Sequence, residues 1–219
     1  MNVSNLIKNG LYLPFLSFFI YLISDDIYFS VFFFLKAFSI NYYQNFSYLY
    51  PQPHIYKWRH MIRLTDTGHL AAFMFYFNKK TTALAHNIHF IIDVGYYITK
   101  FAFNMSDTDN VKKNNELYLL PQKLHEYTNH CLTYFLIVYH ILSTKERDFQ
   151  FDNYSLIYTI IWLYSWLFFI YVPWVLITND YVYNILEPSN PIYLRLGIIF
   201  FINILAYLSN NFGKLLLLI

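Results

Sequence analysis

A threonine and a histidine are the residues best suited to chemistry in this chain: Thr65 in Arg63-Leu64-Thr65-Asp66, and His130 in Thr128-Asn129-His130-Cys131. Each stands near the start of an apolar stretch, the second and the fourth of six. If all six cross a bilayer, the second and fourth run in the same direction. The two residues then lie at similar depth, a few residues in from one side. A hydroxyl is a weak nucleophile until an adjacent base takes its proton. A neutral imidazole can do so, and can later hand the proton to the leaving group. The pair suits acyl transfer on a lipid-like substrate. An acid or amide must then orient the imidazole, and Asp66, Asn129 or Asp180 can serve. A developing oxyanion needs donors, for which Lys100, Asn129 or a backbone amide is available.

Other ionisable residues gather at the same level. His69 follows Thr65 by one turn, His125 and Asn129 precede His130, Lys100 closes the third stretch, and Thr178, Asn179 and Asp180 follow the fifth. Charged groups inside a membrane are costly, so each is a functional candidate by default. Structural readings stand beside these. A threonine in a span commonly bonds to its own helix or a neighbour, and a histidine there often bonds between helices. His89 and Asp93, four residues apart on one face, read as an interhelical bond or a proton path. His86, His89 and His140 read as an interior packing network, and Trp162, Trp166 and Trp174 as packing and interface anchors.

The elements that must carry these residues follow from apolar runs of about 20 residues, the length that spans a bilayer as a helix. The expected spans are residues 11–38 (interrupted by Asp25-Asp26), 60–77, 81–103, 124–142, 154–177 and 191–208. Runs such as Phe15 to Ile23 do not alternate in polarity, so a β-barrel is excluded. Backbone amides in lipid must be satisfied within the segment, which makes these helices. The expectation is one all-α, six-transmembrane-helix integral membrane bundle over residues 1–219, with no internal repeat. The first apolar run reads as a retained anchor, since no small-residue cleavage site follows it.

Composition agrees. The chain has 219 residues, 57% hydrophobic and 13% charged, against about 25% charged in a soluble domain. A net charge of +2 is too small to suggest nucleic acid. The single cysteine, Cys131, excludes a disulfide framework. Eight histidines raise the possibility of a diiron lipid-modifying enzyme. The close spacings are only His86-x-x-His89 and His125-x4-His130, with no His-His pair, so no metal is expected. Basic residues divide between the two sides too evenly to fix orientation. Asn45-Phe46-Ser47 and Asn104-Met105-Ser106 are glycosylation sequons that matter only if their side is lumenal.

The Leu64-Thr65 step, the Asn129-His130 step and six spans of this size resemble the androgen-induced family of multi-pass membrane threonine hydrolases. The correspondence runs from about Trp58 to Leu186. The resemblance implies cleavage of fatty acid esters of hydroxy fatty acids, with Thr65 as nucleophile and His130 as base. The family's Asn-His-x-Met-His motif falls on Asn129-His130-Cys131-Leu132-Thr133, which puts Thr133 in the place of the second histidine. The expected protein is therefore a lipid ester hydrolase of the endomembrane system, most simply the endoplasmic reticulum. Its partners are the bilayer and a lipid ester, and it needs no cofactor. The alternative is a non-enzymatic transporter or scaffold centred on Asp93, His89 and Asp66.

Overall fold

The computed structural model describes residues 3–8, 11–24, 27–44, 53–102, 127–144 and 148–219. His125, Asp25-Asp26, Lys112-Lys113, Lys123 and both sequons lie outside the described residues. Helices are α1 Val3–Lys8, α2 Leu13–Ser24, α3 Ile27–Gln44, α4 Leu64–Phe77, α5 Thr82–Ala102, α6 Thr133–Ser143, α7 Asn153–Trp166, α8 Val172–Thr178 and α9 Ile192–Leu216. One-turn helices at Pro53–Tyr56 and Arg59–Ile62 precede α4, and π-helical turns at Thr128–Leu132 and Leu167–Tyr171 lead into α6 and α8. Among the described residues there is no strand, so the chain is all-α.

α5 is the hub: α4, α6, α7 and α9 all pack against it. Its residues explain this. Ala83, Ala85, Ile88, Ile91 and Ile92 are buried alongside His86, Asn87, His89 and Asp93. Gly68 lets α4 come close, because a Cβ there would stand 2.5 Å from Ile92 Cδ1 and 3.1 Å from Ile88 Cγ2.

The single stretch expected over residues 11–38 is two helices, α2 and α3, which pack on each other. Ser17 Oγ donates to the Ser30 carbonyl at 2.5 Å, and Ser30 Oγ bonds the Ser17 carbonyl in return. This reciprocal pair pins α2 to α3 as a helical hairpin. The sixth stretch also differs. α9 runs on past Leu208 to Leu216, because Ser209 and Asn210 are interior residues with partners, not the polar end of the helix.

The local signals for the long helices are legible. Asp152 caps α7 by accepting from Ser155 N at 2.8 Å, as a good N-cap does. Pro173 has no N–H to give to the turn before it, and the π-helical turn Leu167–Tyr171 lies just there. Asn179 ends α8 in the left-handed region at φ 53°, a conformation asparagine tolerates better than most residues. The continuous segment Asn153–Thr178 and α9 are the two described helices long and apolar enough to cross a membrane, with mean hydropathies of 2.0 and 1.8.

Polarity is distributed from the inside out. Phe15, Phe18, Phe34, Phe101, Phe169, Leu176, Ile177, Tyr193 and Phe200 are exposed, while Lys36, His69, Asn87, His89 and Asn210 are buried. Exposed apolar surface on this scale marks an interaction face rather than a water-facing exterior.

Candidate functional site

Lys36 organises the candidate site. It lies on α3 and is 3% exposed. Its Nζ stands 2.6 Å from Asp66 Oδ1 and 3.0 Å from Asn129 Oδ1, and is also bonded to His69 Nδ1. An ammonium has three protons and no acceptor. A carboxylate, an imidazole nitrogen and an amide oxygen from α4 and from the turn before α6 are therefore suited to it. The fold reason is the hairpin, which returns α3 against α6 and brings an otherwise isolated cation into the interior.

This arrangement fixes the tautomer of His69. With Nδ1 accepting from Lys36, Nε2 carries the proton, and it donates to Thr133 Oγ1 at 3.3 Å. Thr133 in turn donates to the Thr128 carbonyl at 3.2 Å. That last bond bridges the π-helical turn Thr128–Leu132, in which Asn129 and His130 stand. Single π-helical turns often occur at functional positions. Here the turn is held at one end by Thr133 and at Asn129 by Lys36.

Thr65 is on the first turn of α4 and is buried, 6% exposed. The start of the helix is fixed from outside. Arg63 is extended, with ψ 138°, and offers no side-chain cap. Tyr183 supplies the missing acceptor, its hydroxyl taking the Leu64 N–H at 2.8 Å. Trp166 Nε1 donates to the Ile62 carbonyl at 2.8 Å. Arg59 pairs with Asp180, and Trp174 Nε1 donates to the same carboxylate at 3.1 Å. Three contacts thus lock the entry to α4 against the end of α7 and the segment after α8. Asp66 in the first turn complements the positive end of the helix.

His130 is half-buried, and its ring lies flat on Tyr96, with centroids 3.8 Å apart and planes 2° from parallel. Its Nδ1 is buried with no hydrogen-bond partner. It is within electrostatic reach of Arg63, Asp66, Lys36 and Lys100. Lys100 Nζ lies 5.6 Å from the centroid of the Tyr96 ring. Next to His130, Cys131 Sγ contacts the Tyr97 hydroxyl at 2.8 Å.

The structure thus collects Asp66 and Asn129 on Lys36, with Thr65 and His130 as their immediate neighbours in sequence, while Lys100 stands at the Tyr96 side of His130. No hydrogen bond joins Thr65 to His130 among the described residues. The three residues considered for orienting the imidazole are engaged elsewhere: Asp66 and Asn129 with Lys36, and Asp180 with Arg59 and Trp174. Aromatic stacking holds the ring instead. Lys36 is the site residue that sequence reasoning missed. Its signal was its isolation, one cation in the apolar run from Phe32 to Ile40.

The histidines nearer the other end of α5 divide. His86 belongs to a satisfied interior network. It bonds Tyr134 OH at 3.0 Å and Asn87 Oδ1 at 3.1 Å, and Asn87 Nδ2 reaches Thr159 and Asn210, each at 3.1 Å. His140 packs on Phe75, with centroids 4.9 Å apart. His89 is not in that network. It packs against His69, centroids 5.2 Å apart, and its ring meets the Gly68 backbone on α4. Asp93 takes no part in that contact, and its Oδ1 is without a hydrogen-bond partner. Among the described residues no group of three or more metal-ligating side chains occurs. Comparison with protein-family models, with curated proteins and with solved structures gives no match.

Proposed function

We propose that this protein is a six-span integral membrane hydrolase of lipid esters, resident in the endomembrane system, with Thr65 as nucleophile and His130 as general base. The observation that carries the reading is the shared cation. Lys36 holds Asp66 and Asn129, the sequence neighbours of Thr65 and His130, at 2.6 and 3.0 Å. One buried ammonium thereby couples the helix start that carries the hydroxyl to the turn that carries the imidazole. The apolar exterior and the two long apolar helices support a bilayer setting, in which an ester arrives laterally from the lipid.

In the proposed reaction, His130 takes the proton of Thr65 Oγ as that oxygen attacks the ester carbonyl. The first turn of α4 favours the negative charge that develops on the carbonyl oxygen, because a helix N-terminus carries partial positive charge. Collapse of the tetrahedral intermediate breaks the ester C–O bond, and the imidazolium protonates the departing alcohol. Water, deprotonated by His130, then attacks the acyl-threonine. The acid leaves and Thr65 recovers its proton. Lys36 acts through Asp66 and Asn129 and is a positioning residue. The fatty acid ester of a hydroxy fatty acid is the substrate class that the resemblance to the androgen-induced family implies.

The test is hydrolysis of such an ester by purified protein in neutral-lipid nanodiscs. Wild type should release free fatty acid. Thr65→Ala and His130→Ala should each abolish release while keeping the wild-type unfolding temperature. Turnover that survives Thr65→Ala removes the threonine from the mechanism.

A further inference from the structure

Asp93 is a buried carboxylate that pairs with no cation among the described residues. It sits near the middle of α5, it is 6% exposed, and its Oδ1 has no hydrogen-bond partner. An ionised group left this way is expensive, since burial of a charge is tolerated when it is paired and hydrogen-bonded. The residues around it offer no cation. His89, one turn before, faces His69. The Tyr134 hydroxyl is near enough to feel the carboxylate electrostatically but is bonded to His86. Lys36 and Lys100 are engaged at the candidate site.

Asp93 also lines an open groove on the flank of α5, with Val94, Tyr97, Ile98 and Phe101 as the remaining lining. Asp93, Tyr97 and Phe101 follow one another at helical spacing. The groove therefore runs along the helix for about 12 Å from a carboxylate to an exposed aromatic ring. Apart from Asp93 its walls are apolar or aromatic, and Phe101 and Ile98 face outward. A single polar anchor beside an apolar track is the arrangement that a ligand with one polar head and a hydrocarbon chain fits.

We propose that this groove binds a single-chain lipid amine, with the protonated amine on Asp93 and the hydrocarbon chain along Val94, Tyr97, Ile98 and Phe101. Charge complementarity selects the class. A carboxylate without a cation is satisfied by an ammonium, which brings both the opposite charge and hydrogen-bond donors. A fatty alcohol brings no charge, and a fatty acid brings the wrong one. The proposal uses neither Thr65 nor His130, so it stands independently of the hydrolase reading.

The experiment is photo-crosslinking with a clickable, photoreactive sphingosine. The protein is in phosphatidylcholine nanodiscs, so that the membrane itself carries no net charge. A clickable fatty alcohol and a clickable fatty acid of matched length serve as controls. Wild type should crosslink the amine on the α5 peptide and should do so in preference to both controls. Asp93→Asn should weaken amine capture by about tenfold or more, the loss expected on removing one member of a buried charge pair. Ile98→Trp should block the groove while leaving the carboxylate untouched, which keeps the test decisive if Asp93→Asn fails to fold. Equal capture of amine and alcohol overturns the proposal, and so does amine capture unchanged in Ile98→Trp. Ester hydrolysis by Ile98→Trp should remain at the wild-type rate, separating this site from the proposed catalytic one.

Discussion

Lys36 and Asn129 are 93 residues apart in the chain and 3.0 Å apart in the fold, joined by a hydrogen bond from Nζ to Oδ1. The same ammonium pairs with Asp66. Three segments that share no local contact in sequence therefore meet at one buried cation. Lys36→Met should be strongly destabilising, by about 3–5 kcal/mol, because it strands a buried carboxylate. The double variant Lys36→Met with Asp66→Leu should cost less than Lys36→Met alone. Thermal unfolding of the two single variants and the double, in detergent, checks this directly.

The bond from Thr133 to the Thr128 carbonyl has a separate consequence. Thr133→Val keeps the shape of the side chain but removes two buried hydrogen bonds, those to His69 Nε2 and to that carbonyl. The expected loss is about 1–3 kcal/mol, the usual cost of an unsatisfied buried polar group. Because the π-helical turn also carries His130, ester turnover should fall further than the stability loss explains. The comparison is kcat for Thr133→Val against kcat for an equally destabilised variant in the Asn87 network.

That network offers the matching control. Asn210 accepts from Asn87 at 3.1 Å and from Ser155 at 2.7 Å, and donates to the Asp152 carbonyl at 3.0 Å. Asn210→Leu should destabilise by about 1–3 kcal/mol for each group left unpaired. It should leave fluorophosphonate labelling per folded molecule unchanged, since it is remote from Lys36. Labelling normalised to folded protein provides the check.

Gly68 sets the approach of α4 to α5. A Cβ there meets Ile92 Cδ1 at 2.5 Å, so Gly68→Ala should cost about 1–3 kcal/mol through overpacking. Adding Ile92→Val removes that methyl and should recover part of the loss. An additive result in thermal unfolding would show that the close approach is not what limits position 68.

Much of the helix order was legible in the sequence, and the departures have physical causes. α5 and the segment Asn153–Thr178 stand almost where their apolar runs and flanking polar residues put them. The first stretch is two helices rather than one, because an apolar run carries little phase and its pair Asp25-Asp26 reads as an interruption within one helix. Reading it as one helix also hid Lys36, the residue that joins the candidate site. α9 was cut short because Ser209 and Asn210 look like an exposed polar end. Ser209 bonds back to the Ala206 carbonyl of its own helix, and the partners of Asn210 come from α7 and α5, which have no signature in the local sequence. Thr65 and His130 were visible because each follows a recognisable step, Leu-Thr and Asn-His. The residues that fix them, Tyr183, Tyr96 and Thr133, were not, because their roles depend on long-range contacts.

The most direct test of the central claim is to find where an activity-based probe attaches. Membranes carrying wild type, Thr65→Ala or His130→Ala are treated with a fluorophosphonate, and the adduct is located by mass spectrometry. The account predicts a single adduct on the peptide containing Thr65 in wild type, absent from both variants at equal protein level. An adduct on another residue, or no adduct on folded wild type, would contradict it.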